Sequence, residues 1–215
     1  LVDAMLADHQ IVDLDNPHAM GIFLDRPTEW RFNDSEPGDE APFIANFGTA
    51  EMTPTNMTYG IDWVFGTSGV AVPDMNGAQV SYVSMDNAWG NNRGLELYTN
   101  MPGNAGLGCC TLGHYTLVWD LFFNPSQLEL QPLWQADPDN SDNAEFFMDC
   151  SSGGFYTNGN GSVAPDSWPI NQWFRIAHRV DHARNTSAVF INGVKVIDGL
   201  DATEFIYGGQ TDLPM

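Results

Sequence analysis

Lysine is almost missing from this 215-residue chain. Lys195 is the only one, and the chain has 7 basic residues against 28 acidic, a formal net charge of −21. Such a surface repels phosphate backbones and anionic headgroups, which excludes nucleic acid as a partner, and it draws in divalent cations. Solubility in a salty or acidic medium is the plainer account of the acidity. No apolar run reaches 18 residues, so no membrane-spanning helix and no membrane insertion is expected. Cysteine is scarce, with only Cys109, Cys110 and Cys150, a spacing that fits neither a zinc nor a haem site. Adjacent cysteines rarely bridge each other, so one disulfide from Cys109 or Cys110 to Cys150 is expected, with Cys110 the chosen partner. The start at Leu1 carries no initiator Met and no basic leader, which reads as a processed or truncated beginning. Nor is the chain poor in core material. It is 43% hydrophobic and 12% aromatic, which excludes disorder as the reason for the acidity.

What the chain has in abundance is alternation and turn chemistry. From Trp173 the residues divide into Trp173, Arg175, Ala177 and Arg179 on one face and Phe174, Ile176, His178 and Val180 on the other, the period of a strand with one buried face. A polar break at Asp181–Ser187 leads to Ala188–Ile191. Asn192-Gly193 then supplies the two positive-φ positions of a type I′ turn, and Val194–Ile197 returns. A central strand is expected at 115–123, with Tyr115, Leu117, Trp119, Leu121 and Phe123 on one face. Further strands are expected at 42–47, 58–65, 78–84, 93–98, 127–134 and 145–148, between Gly, Pro, Asn and Asp clusters. The segment 152–162, around Tyr156, is rich in Asn and Gly. Residues 1–29 read as an N-terminal arm with a short helix-like stretch, and 30–215 as one domain. Twenty-one glycines, 13 prolines and many asparagines suit a turn-rich extracellular or cell-surface β protein.

Five segments follow one another in a telling order. They are Trp30-Arg-Phe-Asn-Asp34, Tyr115-Thr-Leu-Val-Trp-Asp120, Leu133-Trp-Gln-Ala-Asp-Pro-Asp-Asn-Ser-Asp-Asn-Ala-Glu-Phe-Phe147, Asn171-Gln-Trp-Phe-Arg-Ile176 and Phe190-Ile-Asn-Gly-Val-Lys195. Over about 30–197 the chain resembles the laminin-G-like, concanavalin A-like modules of bacterial surface and secreted proteins. The resemblance implies an all-β, antiparallel two-sheet jelly-roll sandwich. Function does not follow from it, because this fold hosts lectins, hydrolases, lyases and adhesion modules alike. Such domains normally close with one or two strands after the segment matching Phe205–Gly209, whereas here the text ends at Pro214-Met215. An unpaired edge is the expected consequence, to be met by a continuation of the chain, the arm 1–20 or a neighbouring molecule.

The strongest polar cluster is Asp137-Pro-Asp139-Asn140-Ser-Asp142-Asn143, with Asp149 beyond it. Carboxylates and amide carbonyls at alternate loop positions suit a Ca²⁺ ion, whose six to eight oxygen ligands tolerate irregular geometry. Asp137, Asp139, Asn140 and Asp142 are the candidate ligands, and an Asx-turn loop capping its own backbone is the alternative. No paired-carboxylate string of the hydrolytic kind occurs. Glu145 and Asp149 fall roughly 13 Å apart along a strand, too far for either glycosidase geometry. His114, Tyr115, Arg175, His178 and Arg179 supply lyase residue types without a diagnostic spacing, and Tyr115 reads as a core aromatic and His178 as a sheet-face histidine.

Sugars stack their apolar face on exposed rings. Trp63, Trp89, Trp134 and Trp168 are expected at strand ends or in loops. Trp89 with Asn91 and Asn92, and Tyr156 in its own segment, are the candidate ligand-binding residues, while Trp30, Trp119 and Trp173 are assigned to the core. The expected function is a calcium-stabilised glycan-binding or adhesive module that recognises polysaccharide or glycoprotein glycans and associates with other copies or domains of a larger surface protein. A structural subunit of a surface layer or filament is one rival reading, and a polysaccharide lyase or glycoside hydrolase is another.

Overall fold

The computed structural model describes residues 43–44, 51–85, 94–98, 111–112, 114–123, 130–135, 145–149, 151–157, 161–164, 168–202 and 213–214. Among these there is no α-helix, and every paired strand is antiparallel. No helix is therefore long and apolar enough to cross a membrane. The described residues fall into two compact units, one drawn from residues 43–98 and the other from 111–214.

The first unit holds β1 (Phe43–Ile44), β2 (Glu51–Thr55) and β5 (Gly94–Tyr98) in one sheet ordered β1-β2-β5, and a hairpin of β3 (Trp63–Thr67) with β4 (Ser81–Met85). Residues 58–62, expected as strand, instead form a turn. The Asp62 carboxylate accepts the Thr58 backbone N–H at 2.7 Å, and Gly60 takes a φ of 79°. This turn delivers Trp63 into a local aromatic core. Trp63 is 2% exposed, with Tyr59 at 4.9 Å and Phe65 at 5.3 Å between ring centroids. Strand β2 escapes a sequence reading because it contains Pro54, which cannot donate to a ladder.

In the second unit two four-stranded sheets share one core. The first is ordered β14-β13-β12-β7, from β7 (His114–Phe122), β12 (Trp173–Asp181), β13 (Thr186–Ile191) and β14 (Val194–Leu200). The second is ordered β11-β10-β9-β8, from β8 (Leu130–Gln135), β9 (Glu145–Asp149), β10 (Gly154–Thr157) and β11 (Gly161–Val163). Phe174, Ile176, Val180, Val189, Ile191 and Ile197 of the first sheet pack in one cluster with Phe146, Met148 and Phe155 of the second. This arrangement is compatible with a β-sandwich. The predicted alternation along β12 holds, since Phe174, Ile176, His178 and Val180 are all 2% exposed or less. The Asn192-Gly193 turn also stands, with φ of 49° and 83°.

Strands β10 and β11 occupy the Asn/Gly-rich segment, where no strand was expected. Gly154 is there because a backbone must pass close by. A Cβ at that position would lie 2.6 Å from the carbonyl oxygen of Val163. At its edge β14 carries register shifts against β13 at Val196 and Gly199, the kind of irregularity that discourages further strand pairing. The C-terminal residues form β15 (Leu213–Pro214), which pairs with β6 (Thr111–Leu112) just before β7.

Candidate functional site

The face of β7 and β12 turned away from the shared core carries the chemistry best suited to a ligand. Strand alternation that sends Leu121 and Phe174 inward sends Phe122, Asp120, Trp173 and Arg175 outward. Register then sets Trp173 opposite Phe122, and Arg175 opposite Asp120. The two half-buried rings lie 5.8 Å apart between centroids at an interplanar angle of 55°. Arg175 grips Asp120 with two parallel bonds, Nε to Oδ1 at 2.7 Å and Nη2 to Oδ2.

The Asn192 turn secures this arrangement. Its side-chain Oδ1 accepts the Arg175 backbone N–H at 2.9 Å, and its own N–H donates to the Arg175 carbonyl at 2.8 Å. Arg175 and Asp120 keep 33% and 31% of their side chains in solvent. An ion pair that exposed contributes only about 0–1 kcal/mol to stability. Its chief consequence is a planar, immobilised donor-and-acceptor pair beside two aromatic rings. Val118, one row along, is 51% exposed, so the rim of this face is open. Further in, Ala177, Ala188 and Phe190 form a second buried cluster on the same face. Trp173 is accordingly not a core residue, contrary to expectation. Its outward position follows from the same alternation that buries Phe174.

A second outward patch lies on the other sheet. Tyr156, a predicted ligand-binding residue, pairs across β9 with Phe147, and the rings meet edge-on at 6.2 Å. Phe147 in turn pairs with Pro132, which is exposed. No charged partner is fixed beside these rings among the described residues.

The other expected positions divide clearly. Trp89, Asn91, Asn92, the loop Asp137, Asp139, Asn140 and Asp142, and Cys109, Cys110 and Cys150 all lie outside the described residues. Among the described residues no group of three or more His, Cys, Asp or Glu is placed to hold a metal ion. Asp149, which follows the acidic loop in sequence, is 6% exposed and caps its own turn. It accepts from Ser151 N and Oγ and from Ser152 N and Oγ at 2.6–3.3 Å. Trp63, Trp134 and Trp168 are not exposed platforms. Trp63 lies in the aromatic core of the first unit, and Trp168, 5% exposed, donates Nε1–H to the Gly154 carbonyl at 2.7 Å. Trp134 packs against the shared core and donates Nε1–H to His178 Nδ1 at 3.0 Å.

The residues with lyase chemistry are separated by the sheet itself. Tyr115 and His178 face the core, whereas Arg175 and Arg179 face outward. His178 is 0% exposed and stacks on Phe146 at 4.4 Å, and burial lowers its pKa from 6.5 to about 3. Burial likewise raises the Tyr115 phenol well above its usual range. A general base must reach the proton it removes, and these two groups are enclosed. The pair formed by Asp120 and Arg175 was not recognised from sequence because the residues are 55 positions apart. Their outward alternation on two strands was the available signal. No protein-family model, curated protein or solved structure gives a significant match to the chain.

Proposed function

We propose that the chain is a non-catalytic carbohydrate-binding module built on a jelly-roll sandwich, with its site on the outward face of β7 and β12. The observation that carries this reading is the Trp173–Phe122 ring pair set beside the bidentate Arg175–Asp120 pair. A pyranose presents an apolar face of C–H groups and an edge of hydroxyls, each both donor and acceptor. Rings take the first, and a fixed guanidinium–carboxylate pair takes the second. Because Asp120 already balances Arg175, and the chain carries a net charge of −21, the favoured ligand is a neutral glycan rather than an acidic one. Calcium held by the Asp137–Asp142 loop, and an extracellular or cell-surface location, belong to the same proposal. They follow from the acidic, Asn-rich loop composition.

The test is binding to a panel of neutral and acidic polysaccharides by calorimetry. Neutral glycans should bind, and Trp173→Ala should weaken the strongest interaction by about tenfold, near 1.4 kcal/mol. Asp120→Asn should weaken it as well, with the fold kept. Binding unchanged by Trp173→Ala but lost in Tyr156→Ala would move the site to the second sheet. Binding to no glycan would remove the proposal.

A further inference from the structure

The shared core is apolar along most of the β7–β12–β13 face and polar at one end. Its rows run Leu121–Phe174, then Trp119–Ile176–Ile191, then Leu117–His178–Val189, then Tyr115–Val180–Ser187. Alternation alone would place an aliphatic residue at Ser187, as it does at Val189 and Ile191. Ser187 is instead 0% exposed, on a strand flanked by β12 and β14. Tyr115 is held in place by its ring contacts, edge-on to Trp134 at 6.0 Å and 6.0 Å from His182. Tyr115 Oη and Ser187 Oγ are both sealed from solvent, and among the described residues neither hydroxyl has a hydrogen-bond partner.

A buried hydroxyl left unsatisfied is costly, and two in one row of a single core face call for a common explanation. The two residues flank Val180, so their Cα atoms are two strand spacings apart, roughly 10 Å. A tyrosine side chain together with one water spans a gap of that size. We propose that this end of the core is a hydrated site, in which a structural water is bound between Tyr115 Oη and Ser187 Oγ. Water suits it because each hydroxyl both donates and accepts, and buried waters occupy polar sites that offer several such groups. The inference is independent of glycan binding, since it concerns the opposite face of the sheet.

Tyr115→Phe and Ser187→Ala each delete one hydroxyl and little else. If the hydroxyls are merely unsatisfied, deleting either removes a desolvation cost and the melting temperature stays level or rises. If a water joins them, deleting either strands the other. Each single variant should then lose about 2–6 °C, and the double variant should lose less than the sum. A crystal structure of the unaltered protein should show solvent density within hydrogen-bonding distance of both oxygens, and it decides the question even if a variant fails to fold. A raised or unchanged melting temperature, additive losses, or density showing the two hydroxyls bonded to each other or to another side chain would each overturn the proposal.

Discussion

Acid should destabilise the second unit through His178, and the size of the effect can be worked out. His178 sits in the core at 0% exposure, stacked on Phe146, and its Nδ1 accepts the Trp134 indole N–H at 3.0 Å. Protonation would put a charge in an apolar interior and a second donor in front of the indole N–H. Burial therefore lowers its pKa from 6.5 to about 3. With the folded value below the unfolded one, the unfolded chain binds the extra proton between those limits. Stability from this group is full above pH 6.5 and is lost as pH falls toward 3. The slope approaches 1.4 kcal/mol per pH unit, and the whole loss is about 5 kcal/mol. Between pH 7 and 5 it comes to about 2 kcal/mol, or roughly 4–8 °C in melting temperature.

Acidification also relieves repulsion on a −21 surface, which works in the opposite direction, so a comparison is needed. His178→Asn keeps an acceptor for Trp134 but has no titrating ring. It will be less stable at every pH because it leaves a cavity against Phe146. The measurement is the pH dependence of its urea unfolding free energy relative to the unaltered protein. The expected difference in slope is about 1 kcal/mol per pH unit between pH 6 and 4. Parallel curves, or a His178 ring resonance titrating near pH 6.5 in the folded protein, would refute the argument.

Other predictions concern backbone and loop. Asn192→Ala should cost about 1–2 kcal/mol in thermal unfolding, because φ is 49° there and Oδ1 accepts the Arg175 N–H; an unchanged melting temperature would discount both contributions. Gly154→Ala should be severely destabilising, or prevent folding, because its Cβ would press on the Val163 carbonyl from 2.6 Å; circular dichroism of a stable, native-like variant would contradict the β10–β11 pairing. Calcium should raise the melting temperature more than magnesium at equal ionic strength, with about 2.7 kcal/mol gained at 100 times the Kd, and Asp139→Ala with Asp142→Ala should abolish the difference. Equal shifts from both ions would leave the Asx-turn reading of that loop.

Much of the β architecture was legible in the chain. Alternation from Trp173 and from Tyr115 identified β12 and β7 and divided each into two faces, and Asn192-Gly193 specified its turn, because each of these depends only on residues close in sequence. Strands β10 and β11 were not legible in the Gly/Asn-rich segment because glycine marks a turn and a close backbone approach equally well, and only the neighbouring β11 strand distinguishes them at Gly154. Tertiary structure alone decided which aromatics are available to a ligand. Trp168 is enclosed by Phe123 and the Gly154 carbonyl, partners that no local pattern names, while Trp173 is turned outward beside Phe122. It also decided the Arg175–Asp120 pair and the Tyr115–Ser187 row, since strand register brings together residues 55 and 72 positions apart. Local sequence determines which way a side chain points from its strand, but what it meets there depends on how distant strands align.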